Sequence, residues 1–459
     1  MGGLIASAFM LLFVVIVGTL IRIKNSKRIS LIDWAVIGLG AYGGVILLIL
    51  CLILEQGFSE YLKRKIDIDP VLWSYPLFAI VAVLGLWLSS LAFKPRGSMN
   101  AANLLIETKT VSRLQLLAWF FLASGAISYW MYAKAYGGFS GLIQYGAVIR
   151  AGLTEEFGFD LQFAFLKRFG GFVFFSCLLF SALLFSKASD RRISLGVLVG
   201  FVASLLSSMF VLYTWQGRLL LLVFPCVIAL GFIIARYGYR PKNLSRILVV
   251  LLIPVFVFPA TVTWWGKKNN ESHMALAFVD ETQFPLVSFG SMMKYHKYHY
   301  MSDVAITPLY LLPQRIWRDL FHIRKPSTVN TENVVGAAKG ERGNLAEVPI
   351  DFVSLGVLQG HLLGVLLLAV VFGFLLGWLD KWILNSFTGG LAALFYSYSA
   401  MFVAIFSSVY ADPQHIVIRN FHFIVGLFFT YLIVTPSVRR GRRLARQQAI
   451  AIQMQNVGR

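Results

Sequence analysis

Apolar runs of about 20 residues recur along the whole chain, and they restrict its possible folds more than any other feature. With 58% hydrophobic residues, 14% charged residues and a mean hydropathy of +0.72, the 459-residue chain is too apolar for a water-soluble globule. Each run is close to the roughly 20 residues that an α-helix needs to cross hydrocarbon. Strands of a membrane barrel would be shorter and would alternate in hydrophobicity. The pattern therefore predicts an all-α polytopic membrane protein.

The hydropathy pattern predicts about eleven membrane-spanning helices and their orientation. Segments predicted to lie inside hold 22 Lys+Arg against 4 Asp+Glu, and those predicted to lie outside hold 19 against 17. Because cytoplasmic loops carry an excess of Lys and Arg, this asymmetry predicts an outside N-terminus and an inside C-terminus. It also accounts for the net charge of +20 without a nucleic-acid partner. The predicted spans are residues 4–21, 34–54, 71–93, 114–136, 169–186, 193–213, 219–236, 247–264, 352–379, 389–410 and 416–436.

These spans divide the chain into four parts: helices 1 to 8 in residues 1–264, a large outer loop in 265–351, helices 9 to 11 in 352–436, and a basic inner tail in 437–459. The loop holds ten of the 41 Lys+Arg, nine of the 21 Asp+Glu and four of the seven histidines. Ordinary connections take only a few residues, so a loop of this size indicates function. Because titratable groups concentrate on this face, we expect a site that works at the outer leaflet.

Several kinds of site are absent from the sequence or only weakly indicated. The inner loops contain no glycine-rich phosphate loop, which argues against an ATP-driven pump. Cys51, Cys177 and Cys226 lie in apolar runs and are interpreted as buried apolar side chains, with no disulfide framework. We expect no cofactor and no metal. The Asp67 and Asp69 pair in an outer loop could still hold a divalent cation with a diphosphate, or it could be solvated.

Arginines are frequent on the predicted outer side and at the edges of the spans there. Charges at the edge of hydrocarbon tend to face a cavity or a ligand, and a guanidinium can hold a phosphate through two parallel hydrogen bonds. The alternative is that each arginine reaches lipid headgroups or pairs with an acid. The predicted diphosphate-binding residues are Arg150, Arg218, Arg315, Arg318, Arg324, Arg342 and Arg419.

Five residues are candidates for a general base: His299, Glu347, Asp351, His361 and Asp412. Glu347 and Asp351 stand where the loop meets the ninth predicted span, a place where partial burial can raise the pKa of a carboxyl group. His361 falls about three turns into that span. We predict Asp351, Glu347 and His361 as catalytic residues. The alternatives are polar helix termini for the carboxylates and simple packing for His361.

Three passages resemble the O-antigen polymerase (Wzy) type of bacterial polysaccharide repeat-unit polymerase. Leu311 to Trp317 (LLPQRIW), followed by Arg324-Lys325-Pro326, resembles the proline, aromatic and Lys-Pro passage of that family's large outer loop. Asp351 to Gly356 (DFVSLG), with later glycines, is similar to its acidic, glycine-spaced start of the next helix. Gln216-Gly217-Arg218 resembles the Gly-Arg start of an earlier helix. The overall plan of spans and loop is similar as well.

The resemblance implies a glycosyltransferase of the bacterial inner membrane whose active site faces the periplasm. Its substrates would be undecaprenyl-diphosphate-linked oligosaccharides, with transfer of the growing glycan onto a sugar hydroxyl of the acceptor repeat. The bond energy then lies in the donor, and no nucleotide site is needed. Arginines would stabilise the departing diphosphate, and a base would deprotonate the hydroxyl. A chain-length-determining co-polymerase is implied as a partner, besides the lipid bilayer.

Three alternatives stay open from the sequence. The related O-antigen ligases have a similar loop with a histidine near its end, where this chain has Glu347 and Asp351 instead. A glycosyltransferase using polyprenyl-phosphate sugars would employ Asp67 and Asp69 as metal ligands and would lose activity with a chelator. A lipid-linked oligosaccharide flippase should line a path through the membrane with charge, yet most predicted spans have no charge near their centres.

Overall fold

The computed structural model describes residues 2–26, 28–53, 73–93, 108–151, 163–186, 194–215, 218–239, 282–294, 297–312, 316–339, 341, 344 and 347–436. Across these residues the regular structure is helical, without a strand. Within the described ranges, eight helices are long and apolar enough to cross a membrane, and a bent helix pair adds a ninth candidate. The predicted class, an all-α polytopic membrane protein, is therefore confirmed. The count of eleven spans and their orientation stay predictions.

The helices are numbered here in chain order. Every predicted span except the eighth, at 247–264, overlaps one of them, and the eighth lies outside the described residues. The main helices are α1 (Gly2–Ser26), α2 (Leu31–Leu52), α3 (Ser74–Ser90), α4 (Thr108–Lys134), α5 (Lys167–Phe185), α6 (Leu195–Thr214), α7 (Arg218–Tyr237), α8 (Phe284–Lys294), α9 (Pro326–Val335), α10 (Phe352–Ser386), α11 (Gly389–Val409), α12 (Pro413–Arg419) and α13 (Phe421–Pro436).

Helix α10 is interrupted near its start, so the prediction of one continuous span from residue 352 is wrong. Gly360 and His361 have φ values of +154° and +56°, which no helix contains. The chain reverses there: a Cβ on Gly356 would lie 2.6 Å from the Val365 Cα, and the Phe352 and Phe372 rings are 5.4 Å apart. The segment 352–359 therefore lies beside the long rod that begins at residue 362. Hydropathy could not show this, because both arms are apolar.

The last predicted span, 416–436, is not straight either. Helices α12 and α13 meet at Asn420 with a bend of 51°. The Asn420 amide donates back to the Ile416 carbonyl at 2.8 Å and accepts from the Tyr398 hydroxyl at 2.9 Å. An asparagine that bonds to both its own helix and α11 stabilises this break. The bend directs α12 toward the outer-loop residues.

Small residues let the long helices approach closely. A Cβ on Gly85 of α3 would lie 2.8 Å from the Ala369 Cβ of α10, and one on Gly373 would lie 2.0 Å from the Ser89 Oγ. Helices α4 and α5 also approach closely, since a Cβ on Gly125 would lie 2.8 Å from the Val173 nitrogen. Close backbone approach at small residues is the usual means by which helices associate in a membrane. These close contacts fix the relative positions of the long helices, and polar groups lie at both ends of these helices.

The described part of the predicted outer loop is a folded unit at one end of the bundle. We call this end of the bundle the loop end. Helices α8 and α9 pack together, and the Asn330 amide donates to the Val348 and Pro349 carbonyls at 3.1 and 3.0 Å. The Ala411 N–H donates to the Ile350 carbonyl at 2.8 Å, which ties the unit to the end of α11. At the opposite end, ion pairs join Arg22 to Asp33 and Arg28 to Asp380. The described part of the loop is thus packed onto the helices as part of the fold.

Candidate functional site

Asp351 caps the folded-back arm of α10. Its carboxylate accepts the Val353 N–H at 3.0 Å, the Tyr75 hydroxyl at 2.9 Å and both donors of Ser354. The residue is 0% exposed. Burial raises the pKa of Asp351 to about 6, although the Ser354 and Tyr75 hydrogen bonds act against the shift. This environment is that of a structural helix cap.

Glu347 lies in a cluster of opposite charge. Its carboxylate pairs with the Lys325 Nζ at 2.7 Å, accepts the Thr328 hydroxyl at 3.2 Å and lies 4.0 Å from the His415 Nε2. Burial alone would raise the pKa of Glu347, but the Lys325 ammonium, with a smaller contribution from His415, outweighs it and leaves the pKa below its ordinary value. Glu347 is therefore ionised at neutral pH and is a weak proton acceptor.

Asp412 joins the loop unit to the bundle. One carboxylate oxygen accepts the Ser327 N–H of α9, and the other accepts the Gln414 N–H of α12, each at 2.9 Å. Pro326 and Pro413 occupy the first positions of these helices, so the next N–H is the first donor available for a cap. Asp412 is 1% exposed. One carboxylate thus caps two helices at once, which leaves it poorly placed to accept a proton from a substrate.

Arg419 stands at the wall of an apolar cavity within the bundle. The cavity is small, with a volume of about 20 Å³, and is lined mainly by aromatic and aliphatic side chains of α5, α6, α7 and α11, among them Phe174, Leu212, Phe224 and Phe402. Arg419 and His422 supply its polar lining. The guanidinium lies 4.0 Å from the Phe406 ring centroid and 5.7 Å from that of Tyr410. Across the described residues, no ion pair includes Arg419.

Two lysines that the sequence analysis did not single out extend this positive region. The Lys167 Nζ lies 5.8 Å from the ring centroid of Trp215, which is a wall residue of the cavity. Lys339, from the segment after α9, is close enough to act electrostatically on Lys167. Lys167 begins a span and Lys339 lies in the loop, so their proximity depends on how the loop unit folds back over the helices. The sequence contains no local signal for it.

A histidine and a carboxylate pair close to the reversal of α10. The His299 Nδ1 and the Asp303 Oδ2 are 2.7 Å apart, and the Gln359 amide donates to the same oxygen at 2.6 Å. The His299 N–H donates to the Leu358 carbonyl at 2.9 Å. The sequence analysis named His299 but missed Asp303 and Gln359. The spacing of four between His299 and Asp303 was a weak signal, whereas Gln359 meets them only through tertiary contact.

The polar groups form one layer at the loop end. Burial raises the pKa of Tyr310, and the carboxylates of Asp412 and Asp303 both add to that shift, so the phenol is near both acids. His415 lies close to Glu347, and Asp412 acts electrostatically on both. The layer therefore runs from the His299 pair through Tyr310 to the Glu347 cluster and Arg419.

The remaining predicted residues are placed as follows. His361 is partly exposed, and its ring packs edge-to-face on Phe78 with centroids 5.2 Å apart. The Arg324 side chain is 58% exposed and pairs with Glu332 at the surface. Arg315, Arg342, Asp67 and Asp69 lie outside the described residues, and so do the side chains of Arg150, Arg218 and Arg318. Of the seven predicted arginines, Arg419 is the one whose described side chain meets a cavity. The catalytic roles of Asp351, Glu347 and His361 stay predictions.

In the described part of the chain, no group of three or more His, Cys, Asp or Glu side chains is arranged to hold a metal ion. Cys51, Cys177 and Cys226 are buried free thiols, as expected from their apolar surroundings. Comparison of the chain with protein-family models, with curated proteins and with solved structures finds no match. Any function must therefore be argued from the residues of the chain.

Proposed function

We propose that the chain joins undecaprenyl-diphosphate-linked oligosaccharides into a polysaccharide at the periplasmic face of the bacterial inner membrane. The growing glycan moves to a sugar hydroxyl of the acceptor repeat, and undecaprenyl diphosphate leaves. The observation that carries this proposal is Arg419, a guanidinium at an apolar cavity that forms no ion pair in the described residues and feels only the more distant charge of Asp412.

Arg419 is partly buried, and a guanidinium removed from water is costly unless an anion neutralises it. The two aromatic rings beside Arg419 offset part of this cost through cation–π contacts. Its forked donors suit a diphosphate, which Lys167 and Lys339 would further neutralise. The aromatic and aliphatic side chains beside Arg419 would contact the isoprenoid chain next to that diphosphate. Together these groups favour an amphiphile with an anionic head over a free sugar or a metal ion.

The position of this positive region supports the proposed reaction. Charge develops on the diphosphate as the bond from the sugar C1 to its oxygen breaks, and fixed cations in a water-poor place stabilise that charge strongly. The folded loop unit covers the same end of the bundle and offers polar groups to the glycans. Since the donor carries the bond energy, the proposal requires no nucleotide. A chain-length-determining partner belongs to the same proposal.

The first test measures binding of undecaprenyl diphosphate to the full-length protein in nanodiscs. We expect Arg419→Ala to weaken binding about 10-fold to 100-fold, the range for losing charge-assisted hydrogen bonds worth roughly 1.5–3 kcal/mol. Lys167→Ala should weaken it less, because Lys167 lies further from the cavity. The matched control is Arg324→Ala, which removes an exposed, already paired arginine. Equal affinity for undecaprenol, or unchanged binding in Arg419→Ala, would contradict the proposal.

The second test measures polymer formation. The probe is the pool of lipid-linked oligosaccharides extracted from source cells that lack the chain, incubated with purified protein and resolved on a gel. A ladder that forms in the presence of a chelator and is lost in Arg419→Ala supports the polymerase. Loss of the ladder with chelator would favour a metal-dependent glycosyltransferase. Transport of the same lipid across liposomes without a ladder would favour a flippase, and transfer of one preformed glycan to a lipid core would favour a ligase.

A further inference from the structure

The Asp303 carboxylate holds one nitrogen of the His299 imidazole. Its Nδ1 lies 2.7 Å from the Asp303 Oδ2, and no hydrogen-bond partner of its Nε2 is found within the described ranges. The His299 side chain is 23% exposed, whereas that of Asp303 is 4% exposed. A carboxylate that is itself shielded from water thus holds a ring that is partly exposed. This is the arrangement in which a carboxylate orients an imidazole for proton transfer.

A second layer of contacts holds Asp303 in place. The Gln359 amide donates to the Asp303 Oδ2 at 2.6 Å, and the Thr307 hydroxyl donates to the Asp303 backbone carbonyl at 3.1 Å. The His299 N–H bonds to the Leu358 carbonyl, so the pair is attached to the folded-back arm of α10. That arm ends in the positive φ of His361, a conformation that a side chain adopts only when the surrounding structure imposes it.

The carboxylates predicted from the sequence are less suited to accept a proton. Asp351 is 0% exposed and saturated with donors, and both oxygens of Asp412 cap helices. Glu347 is held ionised by Lys325. A base needs an unoccupied lone pair within reach of a substrate hydroxyl. Of the five candidates, His299 is the one whose ring is held by a carboxylate in the described residues.

We propose that His299 accepts the proton of the acceptor hydroxyl, with Asp303 and Gln359 as positioning residues; this rests on the glycan transfer proposed for the chain. The acceptor oxygen bonds to the donor C1 while the bond from C1 to the diphosphate oxygen breaks, and its electron pair leaves with the diphosphate. The hydroxyl proton moves to the His299 Nε2 and then to water. Asp303 stays ionised and stabilises the imidazolium formed in between.

The neighbouring titratable groups belong to three segments. Asp303 faces the imidazole from its own segment, and Tyr310, which follows in the same segment, lies near Asp303 and also near Asp412 of the α11–α12 junction. In α10, the titratable residue is His361, which lies two residues after the positioning residue Gln359. A pH profile must therefore be compared between wild type and Asp303→Asn, so that any change is assigned to the pair.

The test measures polymer formation from the extracted lipid-linked pool by full-length protein in nanodiscs. We expect His299→Ala to lower kcat about 100-fold to 10,000-fold, the usual range for a general base. Added imidazole should restore part of the activity, since it can replace a missing base but not a missing structural contact. Asp303→Asn should lower kcat more than it changes KM, and it should move the acid limb of the pH profile. The matched control, His322→Asn, replaces an exposed loop histidine at φ +51° with a residue that tolerates this backbone, and should keep wild-type activity.

The outcomes separate this inference from the proposed function. Wild-type turnover in His299→Ala overturns the inference while the polymerase stands. An inactive His299→Ala that imidazole does not rescue, with an unchanged pH profile in Asp303→Asn, shows a purely structural pair and also overturns it. Undecaprenyl diphosphate binding should be unchanged in both variants. If the wild-type protein neither binds this lipid nor forms polymer, the proposed function fails, and the assignment of His299 fails with it.

Discussion

Asp351 and Glu347 have opposite electrostatic environments, although only three residues separate them. Asp351 is buried among neutral donors, so burial dominates and its pKa is raised to about 6. Glu347 is also largely buried but pairs with Lys325, so its pKa lies below its ordinary value. The sequence alone showed two carboxylates at a loop junction. Their different partners come from α3 in one case and from the residue before α9 in the other.

This contrast predicts opposite effects of pH on stability. The pKa of Asp351 is higher in the folded state than its ordinary value of 3.8, so its contribution is complete below pH 3.8 and is lost as the pH rises toward 6. The pKa of Glu347 is lower in the folded state, so its contribution is present above 4.5 and is lost as the pH falls through the folded value. Asp351→Asn should remove the loss of stability as the pH rises toward 6. Glu347→Gln should remove the loss of stability at acidic pH.

The measurement is the apparent melting temperature of wild type and both variants in nanodiscs, from pH 3 to pH 7. Each variant serves as the control for the other, because both replace a carboxylate by its amide a few residues apart. Slopes that persist unchanged in both variants would show that other groups determine the pH dependence. A polymerase that stays active in Asp351→Asn would further support a structural rather than a catalytic carboxylate there.

At the scale of elements, the folded-back arm of α10 organises the loop end. It presents Gln359 to Asp303, holds Asp351 against Tyr75 and brings Ile350 beside Ala411. The arm fits because Gly356 has no side chain where it touches the second arm, and because Gly360 and His361 adopt positive φ. The close approach at Gly356 therefore leaves no room for a side chain at that position.

Gly356→Ala should destabilise the arm. The new Cβ would lie 2.6 Å from the Val365 Cα, and a backbone atom cannot move aside as a flexible side chain could. Overpacking of this kind typically costs about 1–3 kcal/mol. The control is Gly2→Ala, where no atom lies within 4 Å of the new Cβ. We expect a lower melting temperature and faster proteolysis of the loop in Gly356→Ala alone. Equal stability of the two variants would show that the arms can separate at little cost.

At the scale of the whole molecule, the two ends of the bundle differ in chemistry. The loop end holds the described unit of α8 and α9, the cavity with Arg419 and the polar layer. The opposite end is closed by the Arg28 pair with Asp380 and the Arg22 pair with Asp33. The positive-inside rule applied to the sequence assigns the loop end to the outside. That orientation decides which aqueous compartment reaches the site.

Cysteine labelling tests this orientation directly. The three native cysteines are buried, so background labelling should be low. A membrane-impermeant maleimide added outside right-side-out vesicles should label Asn333→Cys, on the exposed surface of α9. Lys24→Cys, exposed at the other end of α1, should react only after the vesicles are opened. The reverse pattern would place the loop inside and exclude a periplasmic reaction.

Hydropathy and charge determine much of this protein without any tertiary information. Bilayer thickness sets the length of an apolar helix, so the class and most helix positions could be predicted, and three cysteines in apolar runs could be expected to be buried. Both signals are local along the chain. Hydropathy therefore predicted one continuous helix over residues 352–379 and another over 416–436. Apolar residues lie on both sides of each break, so the breaks leave no trace in the hydropathy pattern.

The site depended on contacts between residues far apart in sequence. Arg419 could be singled out as an arginine in an apolar stretch, but its cavity is built by side chains from α5, α6, α7 and α11. Lys167, Asp303 and Gln359 acquire their significance only when the loop unit packs onto the helices. Sequence composition thus determines that the chain crosses the membrane, because burial in hydrocarbon acts on each segment separately. Only the tertiary structure decides which polar groups meet, because hydrogen bonds and ion pairs require atoms within about 3 Å of each other.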